Sequence, residues 1–104
     1  MILGGLVKLP VSDLDRAVRF YVETLGMKLV EEAGEGAVID AGDGFRIALA
    51  RSASGEHRGA VAVGLRPKME LAQSIAILEN RGVTFDAQHR FSDPDGNVLF
   101  LIAS

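Results

Sequence analysis

The sequence predicts an α+β domain made of two βαβββ units. Three observations lead there. Two amphipathic stretches of helical period are each preceded by one strand-like run and followed by several short ones. A glycine closes each helical stretch, Gly26 in the first and Gly82 in the second. An Asp-Gly pair precedes the last strand-like run of each half, Asp43-Gly44 and Asp95-Gly96. The 104 residues therefore divide as one domain, with a first module at 1–51, a polar, glycine-bounded linker at 52–59 and a second module at 60–104.

The elements follow in order. Residues 3–11 read as a strand running into Ser12-Asp13. Asp13 suits an N-cap, because its carboxylate can accept a bond from an N–H of the first helical turn. Leu14, Ala17, Val18, Tyr21 and Leu25 then recur at helical spacing, and Gly26 sits where a left-handed residue ends a helix. Phe20 and Tyr21 fall on this helix as core or dimer-contact residues. Strands are expected at 28–33, 37–41 and 45–51, separated by Gly34-Glu35-Gly36 and Gly42-Asp43-Gly44. After the linker come a strand at 60–65 and a helix at 68–81, with Pro67 suited to its first turn and Leu71, Ala72, Ile75 and Leu78 as its stripe. Strands at 83–88, 90–92 and 98–102 complete the second unit, the last entered through Asp93-Pro94-Asp95-Gly96.

Composition removes whole classes of function. Cysteine is absent, which excludes disulfides, thiolate metal sites and cysteine nucleophiles. Eleven basic residues against 14 acidic ones, with no basic block, exclude a phosphate-binding platform, so no nucleic-acid partner is expected. Aromatic residues, at 6%, are too few for a base-stacking surface. No apolar run approaches the roughly 20 residues of a membrane span. The opening MILGGLVKLP has no charged stretch before its apolar one, so it predicts no signal peptide, no membrane partner and a cytoplasmic location.

Strand alternation sorts the side chains into two faces. Val7, Leu9, Val11, Ile47, Leu49, Val61, Val63, Leu65, Leu99 and Leu101 are expected to pack beneath the helices. The opposite face carries Leu6, Lys8, Arg46, Ala48, Ala60, Ala62, Gly64 and Phe100, with small residues at its centre. Lys8, Arg46, Ala48, Ala60, Ala62 and Phe100 are the candidate ligand-binding residues. The alanines leave an apolar pocket walled by Phe100 and Phe91, or Phe100, Leu6 and Ile102 fill the space. Lys8 and Arg46 either converge on an anionic group or extend into water at the rim.

The segment from Val7-Lys8-Leu9-Pro10-Val11-Ser12-Asp13 to Phe20-Tyr21, then Leu25-Gly26, resembles the opening of vicinal-oxygen-chelate proteins. That family includes glyoxalase I, extradiol dioxygenases, fosfomycin-resistance enzymes and bleomycin-resistance binding proteins. Phe91-Ser92-Asp93-Pro94-Asp95-Gly96-Asn97-Val98-Leu99-Phe100-Leu101 resembles its closing hairpin and strand. The resemblance implies two modules whose mixed sheet curls around a cavity, with helices on the convex face and a homodimer as the working form.

It also implies where metal-using members hold their ligands, usually His and Glu. The matching positions are Leu6, six residues before Ser12; Phe100, four after Gly96; Ala48, four after Gly44; and Ala60, at the start of the fifth strand. None can coordinate a cation. A one-residue slip turns the side chain to the other face. A two-residue slip reaches only Gly4, Lys8, Arg46, Ala50, Arg58, Ala62, Val98 and Ile102. No metal site and no cofactor are therefore expected. The histidines are His57, in the linker, and His89, at a strand entry. These readings point to a metal-free protein that binds a small organic molecule, an antibiotic among the options. Two alternatives stand beside it: a lyase or dioxygenase with atypical ligands such as His57 or His89, and a structural or regulatory dimer without ligand.

Overall fold

The computed structural model describes residues 1–52 and 61–103. The linker expectation at 53–59, His57 and Ala60 lie outside the described residues. The first module contains β1 (Gly5–Val11), α1 (Leu14–Arg19), β2 (Lys28–Ala33), β3 (Gly36–Gly42) and β4 (Phe45–Arg51). The second contains β5 (Ala62–Leu65), α2 (Leu71–Asn80), β6 (Arg90–Ser92) and β7 (Val98–Leu101).

Two sheets result. The first has the order β1-β4-β3-β2, with β1 parallel to β4 and the other pairs antiparallel. The second has the order β5-β7-β6, with β5 parallel to β7 and β6 antiparallel to it. In each module the chain leaves its first strand through a helix and returns so that the last strand lies beside the first. The first module has the predicted βαβββ order and the second has one strand fewer, and the two sheets remain open rather than closed into one barrel.

Asp13 caps α1, its carboxylate accepting from the Arg16 N–H at 3.1 Å. The helix then widens into a π-helical turn over Phe20–Thr24, where the Leu25 N–H reaches the Phe20 carbonyl. Gly26, at φ +75°, ends it, and the Met27 N–H bonds back to the Tyr21 carbonyl. The second helix starts at Leu71 rather than 68, because Glu70 immediately before it is extended (φ −56°, ψ 148°). Pro67 therefore lies ahead of the helix, not in its first turn.

The strand expected at 83–88 does not form. Val83 and Phe85 alternate as a strand would, but their side chains serve the core: Val83 is buried, and the Phe85 ring meets Phe91 edge-on with centroids 5.1 Å apart. The segment ends in a tight turn organised by Asp86, whose carboxylate accepts from the N–H groups of Gln88 and Arg90 and from Arg90 Nε. These bonds, led by the Arg90 backbone N–H, hold the Asp86 carboxyl below the usual range. The second sheet accordingly has three strands where the first has four.

One core spans both modules. Leu9, Val11, Ile39, Ile47 and Leu49 from the first sheet join Val63, Phe91, Leu99 and Leu101 from the second, with Ala17 and Tyr21 of the first helical segment among them. The expected core face is confirmed except at Val61, which precedes β5 and is exposed.

Polar groups fasten the modules together as well. The buried Asp93 carboxylate accepts from Tyr21 Oη at 2.8 Å, Asn97 Nδ2 at 2.9 Å and the N–H groups of Asp95 and Asn97, each at 2.9 Å. Asn97 Nδ2 also donates to the Pro10 carbonyl at 2.9 Å. Beside it, Asp95 Oδ1 accepts from the Ser12 N–H at 2.8 Å and from Arg16 at 3.3 Å. The turn Asp93-Pro94-Asp95-Gly96 is thus a clasp on the end of β1 and the side of α1. Burial first, and then the Asp93 and Asp95 carboxylates, keep the Tyr21 hydroxyl protonated far above the ordinary tyrosine range.

Candidate functional site

The register of the strands places most of the predicted site residues. In the first sheet Leu6 pairs with Arg46, and Lys8 with Ala48. Ala48 in turn faces Val38, and Arg46 faces Asp40. Leu6, Lys8, Arg46 and Ala48 therefore share one face, opposite to Leu9, Ile47 and Leu49 of the core. In the second sheet Ala62 pairs with Val98, and Phe100 with both Gly64 and Arg90. Ala62, Gly64 and Phe100 share the face turned away from Val63, Leu99 and Leu101.

These faces differ in how they are filled. On the first sheet Lys8 and Arg46 are exposed, Ala48 is half-buried and Leu6 is 55% exposed. On the second, the Phe100 ring lies over Gly64: a Cβ there would stand 2.7 Å from Phe100 Cζ and 2.9 Å from Ile102 Cδ1. The glycine is what lets the ring settle against the neighbouring strand. Phe91, considered as a pocket wall with Phe100, lies on the opposite side of the sheet, because it pairs with Leu99 and is buried with the core.

Concavities of about 670, 480 and 410 Å³ open among the described residues. The linings of these three do not include Lys8, Arg46, Ala48, Ala62 or Phe100. One lies where residues 83–86 splay from β6, against the rings of Phe20, Phe85 and Phe91. The second occupies the seam between the modules, beside α2. The third is shallow and polar, between Ser12-Asp13 and Gly34-Glu35. Nothing in the hydrophobic pattern marks these three, because each joins segments far apart in the chain.

A divalent cation does not fit the matched positions. Leu6, Ala48 and Phe100 present hydrocarbon on the sheet faces, and Ala60, outside the described residues, is alanine. Among the described residues no group of three or more His, Cys, Asp or Glu side chains is arranged to hold a metal. His89 is half-buried at the entry to β6 and carries a left-handed backbone, φ +61°. Among the described residues no helix is long and apolar enough to cross a membrane.

The fold defines a class: α+β proteins of two similarly connected modules, βαβββ in the first and βαββ in the second, each with its own open mixed sheet. Comparison with known proteins agrees. The pattern of the Glyoxalase/Bleomycin resistance protein/Dioxygenase superfamily matches residues 5–101, and the chain belongs to that superfamily. No curated protein matches it. Among solved structures it is similar to TnmS3, an antibiotic binding protein from Streptomyces sp. CB03234, at 29% identity and a TM-score of 0.79 over 100% of this chain and 98% of that one. It is also similar to a glyoxalase/bleomycin resistance protein from the same Streptomyces, at 30% identity and a TM-score of 0.75 over 94% and 97% of the two chains. An integron cassette protein from the mobile metagenome of Halifax Harbour sewage outfall shares the fold, with a TM-score of 0.84 at 20% identity over 97% of each chain.

Proposed function

We propose that this chain binds a small organic molecule without a metal, holding it on the faces that carry Lys8, Arg46, Ala48, Ala62 and Phe100, and so removing it from solution. The observation that carries this reading is the chemistry of the four matched positions. Leu6, Ala48 and Phe100 offer contact surface, and none of the four side chains, Ala60 included, has a lone pair for a cation. The similarity to an antibiotic binding protein along the whole chain supports the same reading and suggests antibiotics as the first ligands to try.

Binding of this kind works by burying apolar surface, with a few polar groups fixing orientation. Ala48 leaves room on the first sheet, Phe100 supplies an aromatic wall on the second, and Lys8 and Arg46 give the rim a positive charge. An open face on one chain encloses a ligand when a second copy covers it. The exposed Leu6, at 55%, and Val61, at 56%, are apolar surface that such a homodimer would bury.

The test is titration calorimetry of the purified protein against a panel of aromatic antibiotics, with sedimentation velocity run on the same samples. Saturable heat, unaffected by chelators and lost in Ala48→Trp, is expected, together with a dimer. Absence of heat across the panel, or binding that needs added divalent metal, overturns the reading.

A further inference from the structure

The crevice between the modules has the composition of a second binding site, independent of the sheet faces. Its volume, about 480 Å³, lies within the range of small-molecule sites. Its wall in the second module is apolar: Leu65 and Leu101 from the core side of the sheet, and Ile77 and Leu78 from α2. Met27 from the first module and Met69 from the loop before α2 complete that wall. Methionine at both sides gives an adaptable surface, since its unbranched chain repacks around differing shapes. Met69 is 47% exposed and Ile77 37% exposed, so these two side chains face solvent, while Leu78 and Leu101 beneath them belong to the core.

The rim of the same crevice is cationic. Lys28 enters from the first module, and Lys68 and Arg81 from the second. One acid, Asp40, also lines it, directly opposite Lys28 in the β2–β3 ladder and accepting from the N–H of Gly42 at 2.8 Å, so the lining carries three cationic side chains against one acidic one. Arg81 is anchored by a 2.8 Å bond from Nη1 to the Thr24 carbonyl, which fixes its guanidinium at the seam. Neither Lys28 nor Lys68 forms an ion pair with a described residue. Three cations around an apolar cleft attract a ligand with the complementary pattern, a hydrocarbon or aromatic body ending in an anionic group.

We infer that this crevice binds amphipathic organic anions, aryl or alkyl carboxylates and sulfonates, with the apolar body against Met27, Met69 and Ile77 and the anionic end toward Lys28, Lys68 and Arg81. The site differs from the one proposed above in place and in residues. Leu65 and Leu101 lie on the opposite side of the second sheet from Gly64 and Phe100.

Naphthalene sulfonate, with the uncharged naphthalenemethanol as its control, tests this on the intact chain by amide chemical-shift mapping. The sulfonate is expected to saturate, to shift the amides of Lys28, Met69 and Ile77, and to bind about tenfold more tightly than the alcohol. The double variant Lys28→Gln/Lys68→Gln, which changes two exposed side chains, is expected to weaken the sulfonate about fivefold and leave the alcohol unchanged. Equal affinity for both probes, shifts confined to Lys8, Ala48 and Phe100, no saturable shift, or an unaltered affinity in the double variant would each overturn the proposal.

Discussion

Asp93 is the residue on which most polar groups in the interior converge. Its carboxylate takes four donors while 4% exposed, so its removal strands Tyr21 Oη, one of the two Asn97 Nδ2 hydrogens and two backbone N–H groups together. Each buried donor left unpaired costs about 1–3 kcal/mol. Asp93→Ala is therefore expected to lose about 3 kcal/mol or more in urea unfolding. Tyr21→Phe, which removes one donor and leaves the others served, should lose about 1–2 kcal/mol. Proton linkage makes a separate prediction at Tyr21. Its folded-state pKa is raised, so the native protein holds the phenolic proton where the unfolded chain gives it up. The contribution is complete below the ordinary tyrosine value, about pH 10, and is lost as pH rises above it. Melting temperatures from pH 8 to 11 should fall more steeply for the natural chain than for Tyr21→Phe, and parallel curves would refute that role. From the sequence Asp93 reads only as a turn residue. Its partners Tyr21 and, through Asn97, Pro10 lie more than 70 positions away, a distance that no local pattern spans.

At the scale of elements, turn chemistry is what the sequence shows most clearly. The first-module strands at 28–33 and 45–51 begin and end where the glycine-bounded turns place them, and Gly26 and Gly82 close the helices with positive φ. The π-helical turn and the missing strand after α2 were not legible, because both depend on what the core demands of Phe20, Tyr21, Val83 and Phe85. The site was legible in part: alternation sorts Lys8, Arg46 and Ala48 onto one face, but not the seating of Phe100 on Gly64. That seating has a measurable signature. Gly64→Ala sets a methyl against the ring and should cost about 1 kcal/mol as overpacking. In a Phe100→Ala background the clash with the ring is gone and only the flexible end of Ile102, at 2.9 Å, must give way, so the cost of the same alanine should fall toward zero. A double-mutant cycle should thus return a coupling of about 1 kcal/mol, and additive effects would show that the ring does not rest there.

For the whole molecule, the question is whether two modules so alike in connection behave as one unit. Among the described residues their sheets share no strand pairing, since β1-β4-β3-β2 and β5-β7-β6 are separate. What unites them is the common core around Tyr21, Phe91 and Leu99 and the clasp from Asn97 to Pro10 and from Asp95 to Ser12. A core that crosses the seam makes opening one module expose apolar surface of the other, and that penalty couples them. Native-state hydrogen exchange reads this directly, because β4 and β7 are the inner strands of their sheets. Amides of Ile47 and Leu49 should exchange with the same free energy as those of Leu99 and Leu101, the global unfolding value. Asn97→Ala removes the donor to Pro10 and one of the four donors to Asp93, loosening the second module's hold on β1. Protection in β7 should then drop below that in β4. Unequal protection in the natural chain would mean that the modules fold separately, and that the crevice between them opens without unfolding either one.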